Sequence, residues 1–337
     1  MIRTWCEYLD YAGARSDGTL DLLERGNLHP IFALRPGTDL SALTHLIRDA
    51  RERGLEVGIW PLLEEEQGYW PSVRNAEVFL RRLDDWKRAL ERRGATPDWI
   101  AFDIEPPFQP DDDVATSVRR AVRRALANLS GRSDKERIDD RSPADAFRAA
   151  VSRYRRSMRG LEREGIGTLG VTTPPALVDL GGEPILQQTL ELPWSPLPWD
   201  RAGFMAYGSM IAEYSKGLLD FRDVRAIHYV LFHRMRREFG GRAHVSLGLT
   251  GTGVYGDEPT YESPEELARD VSAARAANVD DIAIFCLEGL LGRREPGRWI
   301  DAITSAEPRV PPTTWRAESV LFGSGIATDI LAAAARR

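Results

Sequence analysis

Eight short apolar runs, each followed by a stretch of helical period, are the feature of this sequence that most narrows what it can fold into. The runs cover residues 3–9, 30–34, 56–62, 99–105, 168–172, 203–207, 244–249 and 281–287. They are rich in β-branched and aromatic residues, whereas the segments between them repeat apolar side chains every three or four positions. That alternation is the pattern of βα units around a parallel sheet. Eight such units close on themselves, so the expected fold is α/β, a (β/α)8 TIM barrel spanning residues 1–306.

The punctuation between the runs agrees. Residues 40–53 and 75–93 read as helices, the second with Val78, Phe79, Leu83, Trp86 and Leu90 on one face, and they run into Gly54 and Gly94, as helix ends often do. Ser263-Pro264-Glu265-Glu266 is a helix start, with a capping serine, a proline just inside and acids in the first turn. The chain has 337 residues, more than the roughly 250 such a barrel needs, and the surplus falls in two places. Residues 113–165 predict a helical insertion after strand 4, two helices joined by a polar linker. Its Arg119, Arg120, Arg123, Arg124, Arg153, Arg155 and Arg156 are interleaved with acids at helical spacing and read as a solvated face. Residues 307–337 form a C-terminal extension, opening on Pro308, Pro311 and Pro312 and closing on a short helical segment at 326–335.

Several partner classes are disfavoured. A net charge of −6 gives no general attraction to nucleic acid or to an anionic membrane. No run approaches the roughly 20 apolar residues that span a bilayer, and the first residues lack a signal-peptide pattern, so a cytoplasmic location is the expectation. Cys6 and Cys286, the only cysteines, are too far apart for a metal knuckle and are expected to be reduced core residues. His29 and His244 open their strands, and His45, His228 and His233 sit in helical segments. None is placed to act at strand ends, which argues against the metal-dependent sugar isomerases and barrel endonucleases and against a Ser-His-Asp hydrolase; no metal and no cofactor are expected. A small neutral partner is the easier fit; oligomeric state is not legible.

In barrels of this type chemistry sits at the C-terminal ends of the strands. On strand 4, side-chain alternation puts Trp99, Ala101, Asp103 and Glu105 on one face and the apolar Ile100, Phe102 and Ile104 on the other. The apolar set suits the surrounding helices, so Asp103 and Glu105 point into the barrel mouth. Two carboxylates so close cannot both ionise easily; one pKa rises, and a carboxylic acid held protonated near neutrality can protonate a leaving group. Glu105, nearer the open end, is the better general acid, with Asp103 holding it and orienting the substrate. The competing reading is a pair of core acids neutralised by arginines at the barrel top, Arg35 being the candidate.

The segment DWIAFDIE at 98–105 resembles the strand-4 signature D-G-x-D-x-D-x-E of family 18 glycoside hydrolases, the chitinase-like group, with Asp98, Asp103 and Glu105 on three of its acidic positions. Ala101 stands where the family has its middle Asp, and Trp99 where it has Gly. Phe204-Met205-Ala206-Tyr207 is similar to the family's M-x-Y-D motif on strand 6, with Gly208 in place of Asp. The last strand, with Phe285 and Glu288, is similar to the family's aromatic-floored strand 8. The resemblance implies a glycoside hydrolase acting on a carbohydrate, with an N-acetylhexosamine-containing glycan as substrate and a retaining mechanism in which the substrate's acetamido oxygen attacks. Asp103 would orient that group, Glu105 protonate the departing oxygen, and Tyr207 contact the reacting sugar. The alternative is a non-catalytic, lectin-like barrel.

A reading without an acetamido group uses Glu288 or Glu7 as nucleophile or base opposite Glu105. Binding candidates complete the set: Met205 and Phe285 on their strands, and the aromatic residues Trp60, Tyr69, Trp70 and Tyr255 in or after strands. Trp194 and Trp199 precede strand 6. Aromatic faces exposed at a barrel mouth are platforms for sugar rings, and the turn marked by Gly68 and Pro71 favours Tyr69 or Trp70 in that role. The glycine-rich 248–253 reads as a flexible approach to the cleft rather than a phosphate cradle.

Overall fold

The computed structural model describes residues 1–106, 141–253 and 256–323. Its strands are β1 (Ile2–Cys6), β2 (Leu28–Leu34), β3 (Gly58–Pro61), β4 (Trp99–Ile104), β5 (Gly167–Thr172), β6 (Arg201–Tyr207), β7 (Ala243–Gly248) and β8 (Asp281–Phe285). Each pairs in parallel with its neighbours in chain order, and β8 returns to β1, closing the barrel. Two strands stop two or more residues short of the expected ends for a visible reason. Past Cys6, the Tyr8 and Leu9 N–H groups donate to the Glu288 carboxylate instead of to a strand. Past Phe285, Cys286 N–H donates to Thr250 Oγ1 at 2.9 Å and the chain turns into the Leu287–Leu291 helix.

The helices follow the apolar spacing. Leu40–Glu52 buries Leu43, Leu46, Ile47 and Ala50, and Ala76–Glu91 buries Phe79, Leu83, Trp86 and Leu90. Beyond them Gly54 and Gly94 adopt φ of +75° and +66°, the left-handed turn that glycine enters without a Cβ penalty. Ser263 Oγ caps the Pro264–Ala276 helix by accepting from Glu266 N–H. Of the two helices expected between β4 and β5, the second is Pro143–Arg163, capped by Ser142. The first lies outside the described residues, as does the segment 326–335. Among the described residues no helix is long and apolar enough to cross a membrane.

Two apolar layers result. One fills the space between strands and helices; the other, with Trp5, Ile31, Trp60, Ala101, Leu169, Val171, Met205 and Phe285, fills the barrel. Trp194 and Trp199, candidates for the mouth, belong to the outer layer. Trp194 Nε1 donates to Gly170 O at 3.1 Å, and a Cβ on Gly170 would lie 2.3 Å from the Trp199 ring. Both indoles are fully buried, and the absent side chain at Gly170 on β5 leaves room for the Trp199 ring.

The barrel floor is ionic. Arg3, only 1% exposed, pairs with Asp281 at 3.1 Å and lies 4.1 Å over the Trp99 ring. Asp281 also accepts from Arg201 at 3.0 Å and meets His244 Nδ1 at 2.7 Å. Burial holds His244 below the usual histidine range, so its place at the foot of β7 is structural. His228 is buried against Phe204 and Phe232.

Candidate active site

β4 delivers the acid pair. Ile100, Phe102 and Ile104 are fully buried in the outer layer, while Asp103 turns into the barrel and is 7% exposed. Glu105 follows one residue beyond the strand. The two carboxyls interact directly, and both are driven toward the protonated form. Burial first, then the Glu105 and Glu7 charges, push Asp103 well above the carboxylate range. Burial, then Glu7, pushes Glu105 up to about 8 against the opposing hydrogen bond from Asp103. Arg35 does not neutralise this pair. Its Nη2 donates to Glu7 Oε1 at 3.2 Å and to the Tyr69 hydroxyl at 3.0 Å. Asp103 Oδ1 has no hydrogen-bond partner among the described residues.

Glu7, just past β1, is a third acid at the mouth. The Tyr69 hydroxyl donates to Glu7 Oε1 at 2.9 Å, and Arg35 Nη1 donates to Glu7 O at 2.8 Å. Burial outweighs these partners and raises Glu7 to about 7. Tyr207, at the end of β6, feels Asp103, Glu105 and Glu7 together, and burial with those charges keeps its phenol protonated. Its ring lies 5.7 Å from Phe285. Phe285, Met205 and Trp60 are buried beneath as an apolar floor, with Trp60 edge-on to Phe285 at 6.5 Å and to Trp5 at 5.1 Å.

Several candidates take other places. Tyr69 and Trp70 are each 6% exposed and packed edge to face, so neither offers an open ring face; the Tyr69 hydroxyl is drawn inward by Glu7 and Arg35. Glu288 lies in the Leu287–Leu291 helix, and its Oε1 accepts from Tyr8 and Leu9 N–H, tying the β1 end to the β8 end. The glycine-rich segment after β7 is packed rather than loose: a Cβ on Gly289 would lie 2.2 Å from Gly251 N. Tyr255 lies outside the described residues. Sequence reasoning missed Tyr8, which is 51% exposed at the mouth, although it adjoins Glu7 two residues past a strand end. Among the described residues no His, Cys, Asp and Glu group is placed to hold a metal ion.

Three raised carboxyls have a consequence for folding. A carboxyl whose pKa is higher folded than unfolded lets the native state hold more protons, so unfolding free energy falls as pH rises. For Glu7 and Glu105 the window runs from the ordinary 4.5 to about 7 and about 8. Urea midpoints measured between those limits are expected to decline, and Glu105→Gln to flatten the decline. An unchanged slope in the variant would show that Glu105 does not carry the proton uptake.

No known family model matches the chain, and no curated protein sequence matches it. Solved structures do. The glycoside hydrolase domain of PgaB (BpsB) from Bordetella bronchiseptica is 12% identical, with a TM-score of 0.50 over 89% of this chain and 98% of that one. GH5_18 from Bifidobacterium longum subsp. longum ATCC 55813 is 11% identical, with a TM-score of 0.50 over 93% of this chain and 81% of that one. At these identities the likeness establishes the barrel fold that this chain shares with both.

Proposed function

We propose that the protein is a glycoside hydrolase in which Glu105 is the general acid. The observation that carries this reading is the buried, adjacent carboxyls of Asp103 and Glu105 at the barrel mouth, with no arginine among the described residues paired to either. A carboxyl raised to about 8 is protonated at neutral pH and gives its proton to the oxygen of a departing sugar. The two structural neighbours named as glycoside hydrolases support the reaction class.

For an N-acetylhexosamine-containing glycan the mechanism is substrate-assisted and retaining. The acetamido oxygen attacks the anomeric carbon as the C–O bond breaks. Glu105 delivers its proton to the leaving oxygen, Asp103 orients the acetamido group, and the Tyr207 hydroxyl donates to the reacting sugar. Glu105, now a carboxylate, then takes a proton from the water that opens the cyclic intermediate. The second reading rests on Glu7, a buried carboxyl near 7 held by Tyr69 and Arg35, which would serve as nucleophile or base for sugars without the acetamido group.

The test is turnover of aryl glycosides with and without a 2-acetamido group. Turnover confined to acetamido sugars, with kcat falling above about pH 8 as Glu105 loses its proton, is the expected result. Equal turnover of both sets moves the attack to Glu7. Sugar binding without turnover of any overturns the enzymatic reading in favour of a lectin-like barrel.

A further inference from the structure

Most aromatic rings gathered at the mouth are shut in. Trp60, Tyr69, Trp70 and Phe285 are each less than a tenth exposed, whereas Tyr8 is 51% exposed. Exposure of a large ring normally goes with rotational freedom, but Tyr8 is held at two points. Its N–H donates to Glu288 Oε1, fixing the backbone. One ring face lies against the Arg35 guanidinium, whose Cζ is 4.7 Å from the centroid. The ring is thus oriented by its neighbours while half of its surface still meets solvent.

Beside it opens a cavity of about 390 Å³ lined by Tyr8, Arg35, Leu63, Glu64, Glu65 and Tyr69. That volume is within the usual range of small-ligand sites, about 300–1,000 Å³. Its walls combine an aromatic face with the exposed carboxylates of Glu64 and Glu65. A pyranose ring has this composition in mirror image, with CH groups on its faces and hydroxyl donors around its edge. Stacking on a ring already locked in place loses little side-chain entropy on binding. Two of the cavity's lining residues, Arg35 and Tyr69, hydrogen-bond the carboxylate of Glu7, the acid whose charge raises Glu105.

We infer that Tyr8 and this cavity form an outer sugar subsite, so that the protein recognises an oligosaccharide through a unit next to the one being cleaved. The inference rests on the glycosidase reading for its chemistry but is tested separately from it. The substrates are 4-nitrophenyl β-glycosides of N-acetylglucosamine carrying one, two and three sugar units, with the parent protein, Tyr8→Ala and Tyr8→Phe. In Tyr8→Ala the KM for the two- and three-unit substrates, relative to that for the one-unit substrate, is expected to rise on the order of tenfold, the loss of one stacking contact. Tyr8→Phe keeps the ring but not the hydroxyl and is expected to keep the chain-length preference. Equal changes for all three lengths would show that Tyr8 acts only through Glu7, and no change for any would show that it does not touch sugar; either overturns the inference. If the parent turns over none of them, the glycosidase reading fails by itself, and calorimetric titration of the same oligosaccharides decides the subsite. A length-dependent loss of affinity in Tyr8→Ala supports it, and equal or absent loss overturns it.

Discussion

Replacing Glu105 by Gln is expected to lower kcat on a 2-acetamido aryl glycoside by on the order of 10²–10⁴, the usual contribution of a positioned general acid. The amide preserves the shape of the side chain and a hydrogen bond to Asp103 but has no proton to give to the departing oxygen. The loss should therefore depend on the leaving group. A dinitrophenyl glycoside, whose phenolate departs without protonation, is expected to lose far less than an alkyl glycoside. Equal losses across leaving groups would mean that Glu105 positions substrate rather than protonates it, and undiminished turnover would remove it from the reaction. At pH 8 the same variant is expected to melt higher than the parent, because the parent begins to ionise a carboxyl that burial and the Glu7 charge disfavour. A gain in stability with a loss of activity distinguishes removal of a strained functional group from simple damage.

The opposite outcome is expected at the other end of the barrel. Asp281→Ala should cost about 3–5 kcal/mol, the usual penalty for removing one partner of a buried ion pair. Arg3, 1% exposed, would keep its charge and lose its carboxylate, and Arg201 and His244 would lose the same partner. Against a typical unfolding free energy of about 5–15 kcal/mol this is a large fraction. Urea denaturation at pH 7 measures it, with Asp301→Ala as the control. Asp301 pairs with Arg25 in the open, both side chains more than half exposed, and exposed pairs contribute about 0–1 kcal/mol. A loss no larger than the control's would show that the floor relaxes to admit water. The pH dependence has the reverse sign to that of the mouth. Burial pushes the Asp281 carboxyl up, but the His244 hydrogen bond and the Arg3 charge outweigh it and hold the group below its usual 3.8. Its stabilisation is therefore present above that pH and lost as pH falls further. Acid attacks the floor, and alkali attacks the mouth.

That division follows from position along the strands. β4 carries Trp99 at its foot, under the Arg3 guanidinium, and Asp103 near its top beside Glu105. Ala101 lies between them in the apolar interior with Trp5, Trp60 and Leu169. Its methyl group offers Asp103 no hydrogen bond, consistent with the unpartnered Oδ1 above it. An apolar layer that includes Trp5, Trp60 and Leu169 separates the two charged layers, so substitutions at the floor and at the mouth are expected to act independently.

Much of this was legible in the sequence because it depends on local period. Alternation along 99–105 determines which side chains of β4 enter the barrel, whatever surrounds them, and helical spacing with glycine ends determines where Leu40–Glu52 and Ala76–Glu91 stop. Eight such units leave a closed parallel barrel as the arrangement that pairs every strand edge. What local period does not encode is which side chains meet across the closed ring. Arg35 turned to Glu7, 28 residues away, and to Tyr69, 34 residues away, rather than to the acid pair. Those contacts buried Tyr69, which the flanking turn residues had marked as an open platform, while Tyr8 stays exposed. Glu288 reached back 280 residues to the Tyr8 backbone. The sequence by itself determined the fold and the two acids on β4, because strand geometry projects them. The tertiary structure alone decided how those acids are protonated and which aromatic ring faces solvent, because burial and long-range partners set both.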